Sequence, residues 1–426
     1  MHTPAPPALV PMLYVCSVSE HNVPSLQAVL LHQPSHVLLI VSKPFKDAAQ
    51  RLQAVLERTL PGLCVSRPEP VPPLLELEGD DVLDTQRWLH EVLLPYMQRP
   101  ELAHLPKHLN LTGGTKAMAV ALVACRRWDG LDYKGLSAMH LQVLRPPAAS
   151  GDPFELHASP ELADPSPLDV AELYNPHIQT LKPNPIIQQH EALSAELAGD
   201  LWLAQSERHA GLEALLEAFE RVWVLGKDQN AYQCAQATID LQPPSVDPAP
   251  TGRTLADWVQ RFDALCPGVL ALQQRQLTLP GNRTSKAHEH WKRWVSGDWL
   301  EQLCQLWLRD LGLPNSAIVG NLKVGESAHQ SATQREADVF VHYRSQSYLI
   351  ETKAGLPPDT KASDMEKQIS SLAGRLGKVN KVLLLAPSLM HSLQQDNRWD
   401  GFKLRCSSNN VQSVISQLDL QKLLRL

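Results

Sequence analysis

The first part of the chain alternates strand-length apolar runs with helix-length amphipathic stretches, an order that few folds accommodate. Residues 12–18, 37–41, 63–66 and 108–111 read as strands; 24–32, 46–60, 81–97 and 115–128 read as helices. In the third helical stretch Val82, Trp88, Leu89, Val92, Leu93 and Tyr96 recur close to the 3.6-residue period. The leading strands are apolar throughout rather than alternating, as expected of strands covered on both faces. Such a series implies a parallel sheet with helices on either side. A Rossmann-like domain is therefore expected, ending near Arg145, ahead of Pro146 and Pro147.

In a sheet of this kind the ligand crevice lies at the carboxyl ends of the strands. Two loops fall there. One carries Ser17 and Ser19 after the first strand, and the other runs Thr112-Gly113-Gly114-Thr115-Lys116 into a helix. Paired glycines let backbone N–H groups approach an anion, and a helix start adds partial positive charge. Thr112 and Thr115 offer hydroxyls and Lys116 a cation. The spacing is neither G-x-x-x-x-G-K-[ST] nor G-x-G-x-x-G, and a glycine turn capped by Thr115 explains it equally well.

Near the other end, 339–343 (Val-Phe-Val-His-Tyr) and 348–350 (Tyr-Leu-Ile) flank the polar turn Arg344-Ser345-Gln346-Ser347. Aromatic and β-branched runs around a short polar break predict a hairpin. Glu351 and Lys353, two apart, share a strand face, and folding back brings Asp338 beside them. Opposed carboxylates repel unless a cation lies between them, and hard divalent cations prefer oxygen ligands. Asp338 and Glu351 are thus candidate ligands for magnesium or manganese, with the Thr352 carbonyl as a further oxygen. Lys353 is placed to orient or help deprotonate an attacking water and to offset charge on a phosphorane. Glu336, on the same strand face as Asp338, is a lesser candidate. A solvated, charged strand end is the plain alternative.

Around that hairpin, 298–311 is an amphipathic helix with Leu300, Leu303, Cys304, Trp307, Leu308 and Leu311 on its stripe and Glu301 on its flank. A strand over 317–324 precedes the hairpin. A helix over 364–376, with Met365, Ile369, Leu372 and Leu376 inward and Gln368 at the edge, follows it, then a buried strand at 382–385. The order is αβββαβ. Lys361, Lys367 and Arg375 are nearby cations able to offset repulsion of an anionic strand.

Taken together, the first-strand serine loop and the Gly-Gly-Thr-Lys helix start resemble the CARF domain of CRISPR-linked effectors. The segment 285–426 resembles the PD-(D/E)xK nucleases, although Ala337 stands where the name has proline. The pairing of the two on one chain resembles the type III CRISPR ancillary nucleases. The resemblance covers about 10–145 and 285–426. It implies that cyclic oligoadenylate, most often the tetra-adenylate, binds Ser17, Ser19, Thr112, Gly113, Gly114, Thr115 and Lys116 across a homodimer. It also implies that Glu301 and Gln368 join Asp338, Glu351 and Lys353 in catalysis, with Asp338, Glu351, Thr352 and Glu301 around the metal. DNA is the implied substrate, with RNA as a further class.

Between these parts, 146–167 and 242–250 are proline-rich, 191–225 carries helical leucine spacing, and neither helical piece presents a basic recognition face. A mainly helical connector is expected. Residues 285–294 interleave Lys286, Lys292 and Arg293 with Trp291 and Trp294, a pattern suited to stacking on bases or to packing the tryptophans inward. His288 and His290, two apart on a helix, diverge and make no metal pair.

The expected division is 1–148, 149–284 and 285–426. The chain has 43% hydrophobic residues, enough to bury large cores, and its net charge of −6 provides no global field for nucleic acid. Seven scattered cysteines without a C-x-x-C pair argue against disulfides or structural zinc. With no basic n-region and no apolar run near ~18 residues, a cytoplasmic protein off the membrane is expected. Two other readings remain open at this level: a ligand-responsive regulator that binds nucleic acid without cutting, and a restriction- or repair-type nuclease needing no activator.

Overall fold

The computed structural model describes residues 8–68, 76–110, 113–124, 131–132, 135–136, 143–144, 164–209, 212–213, 215–216, 223–225, 232–234, 237–240, 254–268, 270–273, 276–279, 286–325, 335–355 and 362–425. It divides into two compact units. The first takes 1–178 with the short segments 342–347 and 375–378; the second takes 179–341, 348–374 and 379–426.

The first unit is built on a five-stranded sheet. Its strands lie in the order Cys64–Ser66, Pro34–Ile40, Val10–Ser17, Lys107–Asn110 and Leu131–Asp132. All neighbours run parallel. The chain starts in the middle, builds outward to one side, then returns to build on the other. That reversal makes a crevice at the carboxyl ends of Val10–Ser17 and Lys107–Asn110. Helices cover both faces. Val23–His32 and Lys46–Thr59 pack with Tyr14, Cys16, Val37 and Leu39 on one side; Leu13, Val15, Leu38 and Ile40 face Trp88, Leu89, Met118 and Leu122 on the other. Burial on both faces is why these strands lack alternation.

The expected single helix over 81–97 is broken. Val82–Trp88 passes into a π turn at Leu89–Leu93 before Leu94–Met97. Pro95 explains the change, because it lacks an N–H and its ring crowds the turn before it. The helix expected over 115–128 is described as Lys116–Ala124, and the remainder lies outside the described residues.

In the second unit a six-stranded sheet runs in the order Val411–Val414, Asn380–Leu385, Gln346–Lys353, Arg335–Tyr343, Ile318–Val324 and Ile178–Thr180. Trp299–Asp310 precedes its antiparallel strands, and Ala362–Ala373 connects the hairpin to Asn380–Leu385. That connection leaves Gln346–Lys353 parallel to Asn380–Leu385. The hairpin turns at Arg344 and Ser345, whose φ values of 48° and 61° give the left-handed pair of a tight two-residue turn. No helix of the described residues is long and apolar enough to cross a membrane.

Among its described residues the connector holds short strands besides the expected helices. Its helices Pro167–Tyr174, Pro185–Gln189, Glu191–Ser206 and Leu255–Leu265 are accompanied by strands Trp223–Leu225, Tyr232–Cys234, Ala237–Asp240, Ala271–Gln273 and Gln276–Leu279. Of the helix expected over 191–225, Glu191–Ser206 is formed, Arg208 turns left-handed with φ 54°, and residues 212–213 and 215–216 are helical again. At the end of that range Trp223-Val224-Leu225, an aromatic and β-branched run, forms a strand, whose packing preference overrode the leucine spacing read across it.

Candidate functional site

The crevice of the first unit holds most of the predicted ligand residues. Ser17 ends its strand, 1% exposed, with its hydroxyl buried and without a hydrogen-bond partner. Ser19 and Asn22 close the following loop on themselves: Ser19 N donates to Asn22 Oδ1 at 3.0 Å, and Asn22 Nδ2 donates to Ser19 O at 2.8 Å. Gly113 and Gly114 press against that strand end. A Cβ on Gly113 would lie 1.8 Å from the Ser17 carbonyl oxygen, and one on Gly114, at φ +77°, would lie 2.9 Å from Ser17 Cβ. Glycine is needed here for close approach of backbone to backbone.

Thr115 is engaged in local structure. Its hydroxyl accepts from Met118 N at 3.1 Å and donates to the Gly79 carbonyl, capping the helix as the plainer reading held. Lys116 stands exposed at the helix start. Thr112 lies outside the described residues. Asn22, 1% exposed, was not read from the sequence as a member of this crevice. The signal was its position, at the cap of the helix that follows the first strand.

The acidic site is formed by the hairpin in the second unit. Asp338 Oδ2 accepts from the Thr352 N–H at 2.7 Å and from the Thr352 hydroxyl at 3.1 Å. Lys353 Nζ donates to Glu351 Oε2 at 3.2 Å. Glu351 is 5% exposed, and its other oxygen, Oε1, is buried with no hydrogen-bond partner. Burial and the neighbouring Asp338 charge push the Glu351 carboxyl up to about 8. Asp338 is also raised by burial, against the pull of Lys353 and the Thr352 N–H. Burial alone would lower Lys353, but Glu351 and Asp338 outweigh it and hold the ammonium above its ordinary range. The two acidic neighbours thus favour the ammonium form of Lys353, the form that stabilises negative charge.

Glu301, on the helix Trp299–Asp310, lies in the same field. Burial raises its carboxyl well above the ordinary range, and the charges of Asp338, Asp298 and Glu336 add to this. Gln368 is not drawn in: it stands exposed on Ala362–Ala373 with no hydrogen bond to Asp338 or Glu351. Asp298 was missed, and Arg293 was read only as part of the basic stretch 285–294. Asp298 accepts from Asn184 Nδ2 at 2.7 Å and pairs with Arg293 at 3.5 Å. Of the cations named for charge relief, Lys361 lies outside the described residues. Lys367 pairs with Asp364 at 3.7 Å, and Arg375 falls in the first unit.

The donor set fits a hard divalent cation. A buried carboxylate with one oxygen unpaired, beside a second desolvated carboxylate, is a pair whose repulsion a cation would relieve. Among the described residues no three His, Cys, Asp or Glu side chains gather closely enough to hold an ion by themselves.

No family model matches the chain, and no curated protein matches it in sequence. Solved structures do match. Protein VC1899 from Vibrio cholerae superposes with a TM-score of 0.63 at 14% identity, over 97% of this chain and 96% of its own. Can2 from Sulfobacillus thermosulfidooxidans, solved in complex with cyclic tetra-adenylate, superposes with a TM-score of 0.62 at 17% identity, over 97% of this chain and 98% of its own. The chain therefore has the fold of VC1899 and Can2 along almost its whole length, in line with the resemblance to CARF-containing CRISPR ancillary effectors.

Proposed function

We propose that the protein is a cyclic oligoadenylate-activated, metal-dependent nuclease of type III CRISPR defence, cutting DNA, with RNA as a further substrate class. The observation that carries this reading is the convergence of Asp338, Glu351 and Lys353 in one desolvated pocket, where Glu351 keeps an unpaired oxygen. The fold shared with Can2, solved with cyclic tetra-adenylate, supports the choice of activator. The glycine pair seated against Ser17, with the helix start behind it, suits a phosphate-bearing ligand.

Asp338 and Glu351 would hold magnesium or manganese. When bound, the cation supplies Lewis-acid activation of a water and neutralises charge on the scissile phosphate. The chain's own residues provide the setting. Thr352 fixes the Asp338 carboxylate through its amide and hydroxyl, so that its orientation is set before substrate arrives. Lys353 stays protonated beside Glu351 and faces charge growing on the phosphorane. Glu301 adds a carboxylate on the helix side. In the first unit Ser17, Ser19, Gly113, Gly114 and Lys116 form one protomer's half of a pocket completed in a homodimer. Activation requires the ligand to bind the cutting-competent arrangement more tightly than the resting one.

The test uses full-length protein with manganese. Asp338→Asn and Lys353→Ala should each abolish cleavage while leaving cyclic tetra-adenylate binding intact. Full cleavage by either variant defeats the assignment.

A further inference from the structure

We propose that Arg293, aimed by Asp298 and Asn184, grips a phosphate of the nucleic-acid strand at the mouth of the acidic site, an inference that rests on the nuclease reading above. It begins with the basic, tryptophan-bearing stretch at 285–294. The aromatic half of that pattern is spent on packing: Trp291 is 1% exposed and Trp294 is fully buried. Trp294 donates through Nε1 to Gln302 Oε1 at 3.3 Å, and its ring meets Phe262 edge-on at 6.4 Å. Neither tryptophan is available to a base. Arg293 is different, with its side chain 45% exposed.

Local backbone geometry directs it. The helix Lys286–Arg293 passes into a π turn at Trp294–Asp298, where Trp299 N donates to Trp294 O. In an α-helix residues five apart stand about 140° from each other around the axis. The wider i→i+5 turn brings them toward one side. A guanidinium nitrogen of Arg293 accordingly lies 3.5 Å from Asp298 Oδ2.

Asp298 cannot turn away. It is 9% exposed, and the same oxygen accepts from Asn184 Nδ2 at 2.7 Å. Asn184, 4% exposed, is itself tied on both ends: Nδ2 also donates to the His290 carbonyl at 2.7 Å, and Oδ1 accepts from Ile186 N at 3.0 Å. A connector residue thereby fixes the carboxylate that fixes the arginine. One guanidinium nitrogen is used, and a guanidinium has five donors in a planar fork that suits a phosphate.

The site needs such a cation. The site gathers acidic side chains, and Lys353, beside Glu351, serves the reacting centre and not the flanking strand. Asp298, which Arg293 pairs with at 3.5 Å, stands at the start of Trp299–Asp310, one turn before Glu301, so the guanidinium lies beside the acidic site. Lys323, the cross-strand partner of Glu336, is the neighbouring cation.

The experiment measures binding, not cutting. Full-length protein with cyclic tetra-adenylate in EDTA is titrated against fluorescein-labelled single-stranded and duplex DNA at several salt concentrations. Arg293→Ala should weaken binding about tenfold and reduce the salt slope by about one, and Arg293→Lys should restore part of the loss. Asp298→Asn and Asn184→Ala should weaken binding less than Arg293→Ala does. Unchanged affinity and slope in Arg293→Ala overturns the proposal. If that variant melts early, Arg293→Gln, closer in bulk, decides in the same assay. Lys353→Ala serves as the control: if it binds normally and still cuts, the nuclease reading fails on its own, whatever Arg293 shows.

Discussion

Asp338 and Thr352 face each other across the hairpin so that a single carboxylate oxygen takes both the amide N–H, at 2.7 Å, and the hydroxyl, at 3.1 Å. This contact orients the carboxylate from within the sheet. Thr352→Val keeps the shape and the amide bond but removes the hydroxyl. It should lower cleavage by roughly tenfold, the scale of one hydrogen bond, whereas Asp338→Asn should lower it by about 10²–10³ or more. Metal-dependent rates of the two variants, measured beside their melting temperatures, separate loss of orientation from loss of charge.

The acidic pair also sets a pH dependence of stability. Folded Glu351 keeps its proton up to about 8, whereas the unfolded chain releases it near 4.5. Between these values the folded state binds more protons than the unfolded one, so stability falls as pH rises. In EDTA the melting temperature should therefore drop as pH rises from about 4.5 to about 8, and Glu351→Gln should flatten that slope. Manganese should raise the melting temperature most at the upper end of the window, where the carboxylates are ionised. A slope of the opposite sign contradicts the description of the pocket.

In the first unit Gly113 leaves no room for a side chain against Ser17. Gly113→Ala forces a Cβ to within 1.8 Å of a backbone oxygen, so the loop must shift. It should cost on the order of 1–3 kcal/mol and weaken activator binding. Lys116→Ala, at an exposed position, should leave the unfolding free energy within ~0.5 kcal/mol of the parent and reduce activator binding alone. Calorimetric titration with cyclic tetra-adenylate reads the binding of both variants, and urea unfolding reads their stability.

Trp294 offers a packing check. It is fully buried against Phe262, and Trp294→Ala should cost about 3–5 kcal/mol. A surface tryptophan used for stacking would cost little on removal. Urea unfolding of the two chains distinguishes them.

Much of this was legible in the residues. The parallel sheet could be read because strands such as 12–18 are buried on both faces and carry no alternation. The pairing of Asp338 with Glu351 and Lys353 could be read because strand alternation and a short turn fix which side chains share a face. Other features depended on departures from regular spacing. Arg293 and Asp298 are five apart, a separation that means nothing on an α-helix and becomes contact only through the π turn. Gln368 shares the stripe edge that the helical period assigned to it, yet that edge faces solvent. The connector strands were hidden because Trp223–Leu225 follows a leucine-rich helix closely enough for one period to be drawn through both.

The central claim is tested most directly with purified full-length protein, manganese, and supercoiled plasmid or single-stranded DNA, with and without cyclic tetra-adenylate. The account predicts strand breaks only when manganese and the cyclic nucleotide are both present, and none from Asp338→Asn. Equal cutting without the nucleotide, or none under any of these conditions, contradicts it.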